Sequence, residues 1–154
     1  MASLDKHYMS LAYRLAEDAF RRHEVPVGAV LVVEGKLCGW GFNRRMDGNC
    51  ILGHAEIIAL QTASEQMGNW RLLRSTLYVT LEPCIMCTGA LLQSRVDRVV
   101  FGCRDPKAGA MRSLFALAED PRLNHRIKID EGVMRDECAE LLRHFFENLR
   151  TLKK

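Results

Sequence analysis

His54-Ala55-Glu56 and Pro83-Cys84-Ile85-Met86-Cys87 are the stretches of this chain whose residue types and spacing could do chemistry. One imidazole and two thiolates offer three ligands to a zinc ion. A structural zinc site closes its tetrahedron with four protein ligands, whereas a catalytic one holds three and keeps a position open for water. Glu56, two residues from the histidine, could then take a proton from that water and deliver it elsewhere. His54, Cys84 and Cys87 are therefore the expected ligands of one Zn2+ per chain, with Glu56 as the catalytic carboxylate. Two plainer readings compete. Cys50, four residues before His54, could close the site as a fourth ligand and leave Glu56 no water to act on. Glu56 could also be a first-turn carboxylate that does no more than complement a helix dipole.

The spacing constrains the elements that carry these groups. Residues two apart in a regular helix point to nearly opposite faces, so His54 and Glu56 share a pocket only if His54 stands at the helix opening. Gly53 before it and the apolar run Ile57–Leu60 after it fit such a start. Cys84 and Cys87 are three apart, which places both on one face of a first helical turn. Pro83 suits that first turn, where its missing N–H finds no partner anyway. Both ligand sets then lie at helix N-termini, where the partial positive charge favours thiolate over thiol.

The remaining pattern supplies the frame. Apolar residues recur at helical spacing from Asp5 to about His23, and Pro26 and Gly28 end that helix. Val27–Val33 is a nearly continuous apolar run, as expected of a strand buried on both faces. Glu34-Gly35-Lys36 turns it back into Leu37–Phe42 as a hairpin. A polar loop from Asn43 to Gly53 leads to the His54 helix, which ends near Gly68. Thr76–Leu81 is a third strand leading into the cysteine helix, which runs to about Ser94. Arg98–Phe101 is a fourth strand. A loop, Asp105–Arg112, and a short helix near Ser113–Ala118 precede a fifth strand at Arg126–Ile129. An amphipathic helix over Val133–Leu152 closes the chain. This order predicts an α/β fold, with a central sheet covered by helices on both faces and parallel pairing among the later strands.

Composition narrows the class. With 154 residues, 48% apolar and 27% charged, the chain is expected to form one domain that needs no disulfides. The six cysteines are read as reduced, Cys38 and Cys103 as small core residues. A net charge of +3 is far from the excess of a dedicated nucleic-acid binder. Local concentrations stand out all the same: Arg21-Arg22, Arg44-Arg45, Arg104 with Lys107, and the tail Arg143, Arg150, Lys153 and Lys154. No run approaches the roughly 18 apolar residues of a membrane span. Met1–Lys6 lacks the core of a signal peptide, so a cytoplasmic protein without a membrane partner is expected.

H-x-E combined with P-C-x-x-C is the signature of zinc-dependent nucleobase deaminases. Beyond those motifs, nearly the whole chain resembles the bacterial tRNA-specific adenosine deaminases of the cytidine deaminase-like superfamily. The resemblance runs through Glu24–Val30, the Asn43 loop, His54-Ala55-Glu56, Leu77–Cys84, Arg98–Gly102, Asp105–Ala110, Asn124-His125-Arg126 and Phe145-Phe146. It implies the three-layer α/β/α sandwich of the cytidine deaminase-like fold, with a central five-stranded mixed sheet, as a single deaminase domain over residues 1–154. It also implies hydrolytic conversion of adenosine to inosine at the wobble position (A34) of a tRNA anticodon, in a homodimer. Carried onto this sequence, it implies that Asn43 holds the flipped adenosine and that Asp105 and Lys107 grip the backbone of the anticodon stem-loop. Phe145 and Phe146 would belong to a helix bordering the RNA. On sequence alone Asn43 is equally a turn residue, and of two adjacent phenylalanines one should face the core. One departure is visible: Cys50-Ile51-Leu52-Gly53 stands where the family commonly reads Asp-Pro-Thr-Ala, in the loop that shapes the pocket entrance. The competing functions are a small-molecule deaminase of cytosine, guanine or cytidine, a catalytically silent RNA-binding subunit, and a structural zinc module.

Overall fold

A computed structural model of the protein describes residues 2–153; Lys154, the end of the basic tail, lies outside them. Six consecutive buried residues, Gly28–Val33, form β1, the strand predicted to lose both faces to packing. Its side chains alternate between two cores. Ala29, Leu31 and Val33 join Leu77, Val79, Val99 and Phe101 in the larger one. Val30 and Val32 join Tyr78 and Val100 on the opposite face. A strand whose period-2 faces are both covered in this way reads as an unbroken apolar run.

The five strands are β1, β2 (Lys36–Phe42), β3 (Ser75–Leu81), β4 (Arg98–Cys103) and β5 (Lys128–Glu131), in the order β2-β1-β3-β4-β5. β1 pairs antiparallel with β2 and β3, whereas β3–β4 and β4–β5 are parallel. Helices α1 (Ala2–Arg21) and α4 (Arg135–Leu152) cover one face; α2 (Ala55–Met67) and α3 (Ile85–Gln93) cover the other. The result is the expected α/β/α sandwich around a mixed five-stranded sheet. α2 lies directly on the backbone of β2. A Cβ at Gly39 would stand 2.2 Å from the Ala59 carbonyl oxygen, and one at Gly41 would stand 2.8 Å from that of Ala55. Only glycine lets a helix approach a strand so closely, and that approach fixes where α2 begins.

Several boundaries differ from expectation, each for a local reason. The proline before the cysteines sits outside its helix, because Cys84 is the N-cap and α3 starts at Ile85. No helix forms over Ser113–Ala118. The Leu117 N–H, which a helix opening at Ser113 would bond to the Ser113 carbonyl, donates instead to the Ala110 carbonyl, and only a 3-10 turn at Leu117–Glu119 remains. β5 is displaced toward the C-terminus, because its edge is extended by Asp130 and Glu131, which pair with Arg98 and Arg104. α1 starts earlier than predicted and ends at Arg21, while α4 starts only at Arg135, after positive-φ residues Gly132 and Met134. Cys103 is buried as expected, but Cys38 is only half-buried, and all six cysteines are free.

Candidate metal centre and active site

β3 and β4 are parallel and end side by side, with Leu81 paired to Cys103. The segments leaving the two strands therefore meet at one end of the sheet. β3 continues through Glu82-Pro83 into Cys84. β4 continues through Arg104 into the Asp105 loop. β1, antiparallel to β3, begins at this end, so the foot of α1 lies here as well. α4 crosses the same end: Cys138 packs on Gly102 near the end of β4, and Phe145 reaches the Phe20 ring at the foot of α1, centroid to centroid 6.1 Å.

His54 is the N-cap of α2, with φ −83° and ψ 147°. Its extended backbone swings the imidazole back over the first turn, so that it and Glu56 share a pocket despite the two-residue spacing. Cys84, likewise extended, is the N-cap of α3, and Cys87 lies in that helix's first turn. The ligand atoms of His54, Cys84 and Cys87 all lie within 4.8 Å of one another. The His54 Nδ1 is 3.6 Å from the Cys84 Sγ and 3.4 Å from the Cys87 Sγ. An ion about 2.3 Å from sulfur and about 2.0 Å from nitrogen at tetrahedral angles requires a sulfur–nitrogen separation of about 3.5 Å. The donor set and its spacing fit zinc. Cys50 is exposed and stands outside the cluster, so no fourth protein ligand closes it among the described residues.

Glu56 is 3% exposed. Burial pushes its carboxyl up to about 7, against the opposing pull of its own backbone N–H and of His54. The cluster polarises its own protons. A hydrogen bond from Cys87, helped by His54, holds the Cys84 thiol down to about 4 despite burial. The same bond and burial push Cys87 strongly up, and the Cys84 contact raises His54. The arrangement can bind a cation through three soft and borderline donors, and it keeps a carboxyl that exchanges a proton near neutrality beside them.

The other expected site residues are brought to the same end of the sheet. Asn43 is buried, and its Oδ1 accepts the Ala55 N–H at 2.8 Å, so it caps α2 from outside the helix and leaves its amide NH2 for another partner. Asp105 folds its own turn: Oδ1 accepts the backbone N–H groups of Lys107 and Ala108. Lys107 is exposed. Phe145 is half-buried against Phe20, whereas Phe146 is 40% exposed, which divides the pair as expected.

Two residues given no role by the sequence pattern prove central to this end of the fold. Glu24, buried ahead of β1, accepts the backbone N–H groups of Met46 and Asp47 and braces the loop before His54. Glu82, buried between β3 and Pro83, gathers the loop after β4. The available signal was slight: a lone carboxylate just before a Val-Pro at Glu24, and one at the end of an apolar strand just before a Pro-Cys at Glu82.

The comparisons agree with this geometry. A family model described as MafB19-like deaminase matches residues 4–150. A tRNA-specific adenosine deaminase of Haemophilus influenzae is 44% identical over 154 residues, covering 99% of this chain and 89% of the relative. A solved structure from studies of A-to-I editing by tRNA:A34 deaminases at the wobble position superposes with a TM-score of 0.85 at 40% identity, over 88% of this chain and 98% of the other. A guanine deaminase from Nitrosomonas europaea superposes with a TM-score of 0.75 at 25% identity, over 91% of this chain and 83% of its own. With the H-x-E and P-C-x-x-C residues gathered at one end of this sheet and relatives matched over nearly its full length, the chain belongs to the deaminase family that contains the tRNA-specific adenosine deaminases.

Proposed function

We propose that this protein hydrolytically deaminates adenosine to inosine at the wobble position (A34) of a tRNA anticodon, releasing ammonia. The observation that carries the reading is the cluster of His54, Cys84 and Cys87 at two helix openings with the buried Glu56 beside it, in a chain 44% identical to a tRNA-specific adenosine deaminase. His54, Cys84 and Cys87 would hold one zinc ion, which when bound supplies Lewis-acid activation of water and stabilises the negative charge that develops on oxygen. Glu56 handles the protons. Its carboxylate takes one from the attacking water and passes it to the adenine ring nitrogen, then takes the second from the new C6 hydroxyl and delivers it to the leaving amine as the C–N bond breaks.

Asn43 offers its NH2 to the base while Oδ1 holds the helix start. Lys107 supplies the cation for a backbone phosphate, and Asp105 shapes the turn that presents it. Phe146, the more exposed of the two phenylalanines, is the one free to stack on an unpaired base. Exposed Ile85, Leu114 and Phe115 support a second copy of the chain as partner. No described helix is long and apolar enough to cross a membrane, and a tRNA substrate suits a cytoplasmic enzyme.

The test is purified protein incubated with an A34 anticodon stem-loop, with inosine quantified after nuclease digestion. Conversion of the stem-loop with little turnover of free adenosine is expected. Turnover of guanine, cytosine or cytidine with none of the stem-loop would assign the site to small molecules. Metal content and sedimentation of the same sample check for one zinc per chain and a dimer.

A further inference from the structure

Glu82 is 2% exposed, yet no lysine or arginine side chain hydrogen-bonds to it among the described residues. Its charge is met by a ring of dipoles. Oε2 accepts the backbone N–H groups of Met111 at 3.0 Å, Arg112 at 2.7 Å and Ser113 at 2.9 Å. Oε1 accepts the Asp105 N–H at 3.1 Å and the Ser113 hydroxyl. Gly109 lies flat on the carboxylate: a Cβ there would stand 2.3 Å from the Glu82 Cδ. One more bond, Ala110 N–H to the Pro83 carbonyl at 2.9 Å, ties the loop to the residue just before Cys84. A single side chain thus clamps the entry and the exit of the 105–113 loop, and it is the second residue before a cluster ligand.

We infer that Glu82 is a positioning residue for RNA: it fixes the 105–113 loop, which presents Asp105 and Lys107, in register with the segment that delivers Cys84. The inference rests on the RNA reading of the site. Its physical content is a chain of rigid contacts from Asp105 N–H to Glu82, Pro83 and Cys84. Through it the grip on the backbone and the place of the reacting base are set by one piece of structure. A loop already held in the conformation that meets the RNA gives up little ordering entropy on binding, so its contacts appear as affinity. A core filler would not need two acceptor oxygens here; a side chain that serves four N–H groups and a hydroxyl does.

Glu82→Gln separates this role from mere packing. With its oxygen kept in the three-donor position, its NH2 must face the Asp105 N–H, while the Ser113 hydroxyl can rotate to accept. The variant therefore loses the bond at the loop's entry and retains those at its exit. The expected result is full zinc content and an unchanged circular dichroism spectrum, with KM for the anticodon stem-loop raised about tenfold and kcat at saturating RNA within about twofold. Amide exchange at 105–109 should quicken while that of α3 stays as it is. Ser113→Ala, which removes one neutral donor and cannot mispair, should move KM the same way by less.

A lowered melting temperature with KM unchanged in both variants would make Glu82 a structural group only and overturn the inference. Lost zinc or a lower kcat at unchanged KM would overturn it too, by assigning Glu82 to the metal centre. Wild-type protein that fails to convert the stem-loop would overturn the proposed function, and this role with it. An active wild type beside an unaffected variant overturns Glu82 alone.

Discussion

Asn43 is the residue at which folding and the proposed contact to adenosine would draw on the same side chain, and two substitutions pull them apart. Its Oδ1 is the partner of the Ala55 N–H at 2.8 Å, and Ala55 is wholly buried. Asn43→Ala leaves that donor without a partner and without access to water, a loss of about 1–3 kcal/mol. For a chain of this length each kcal/mol moves the melting midpoint by about 2–4 °C, so a drop on the order of 6 °C is expected. Asn43→Asp keeps an acceptor at the opening of α2, where a negative charge is favoured by the helix dipole. Its melting temperature should stay within about 2 °C of wild type. Asp cannot donate, however, so it forfeits the contact offered to the base, and kcat/KM on the stem-loop should fall about tenfold or more. Thermal melts and initial rates on the same preparations suffice. An Asp variant as unstable as the Ala variant would refute the capping argument. One that is stable and fully active would refute the contact to adenosine.

Glu56→Gln should retain zinc and fold while deamination falls by at least about a hundredfold; its melting temperature should not drop, because a buried ionisable group is costly to keep. Turnover near that of wild type would remove Glu56 from the proton path. Lys107→Ala should weaken stem-loop binding and reduce the slope of log K against log salt by about 0.7, the loss of one single-strand phosphate contact, and an unaltered slope would show that Lys107 touches no phosphate. The Arg98 hydrogen bonds hold Asp5 below its ordinary range, with Tyr78 O–H also donating to it. The stability this gives is present above the unfolded value of about 3.9 and is lost as pH falls through the lower folded one. Melts between pH 2.5 and 6 should therefore show a steeper acid decline for wild type than for Asp5→Asn, and parallel curves would contradict the assignment.

Much of this was legible in the sequence, for physical reasons that also mark where reading stopped. β1 could be read because both of its faces are covered, so apolar residues simply succeed one another. The opening of α2 could be read because His54 and Glu56 cannot converge from within a regular helix, and the N-cap geometry of His54 is the solution the spacing demanded. β5 was misplaced because half of it is Asp130 and Glu131, strand residues whose charges are met by arginines from β4 and its end. The helix expected after Arg112 failed for a related reason: the Leu117 N–H that would have closed its first turn on Ser113 is taken by the Ala110 carbonyl, outside any helical spacing. Local propensity cannot register a donor committed to a distant acceptor. Glu24 and Glu82 escaped notice for the same cause, since a buried carboxylate satisfied by backbone N–H groups leaves no pattern in its own neighbourhood.

Those two carboxylates also bear on how such an enzyme can change. His54, Cys84, Cys87 and Glu56 belong to helix openings seated on the sheet, while the loops on either side of them are moored from outside by Glu24 and Glu82. A loop held at a few backbone points by a foreign side chain can exchange the residues between its moorings without disturbing the chemistry next to it. Cys50-Ile51-Leu52-Gly53 lies in such an interval, with Ile51 74% exposed, and it carries the visible departure from the family's usual residues. The guanine deaminase that shares this scaffold at 25% identity acts on a different base. Substrate preference can drift here as interchangeable inserts around an unchanged reaction centre, with no need to rebuild the fold that holds it.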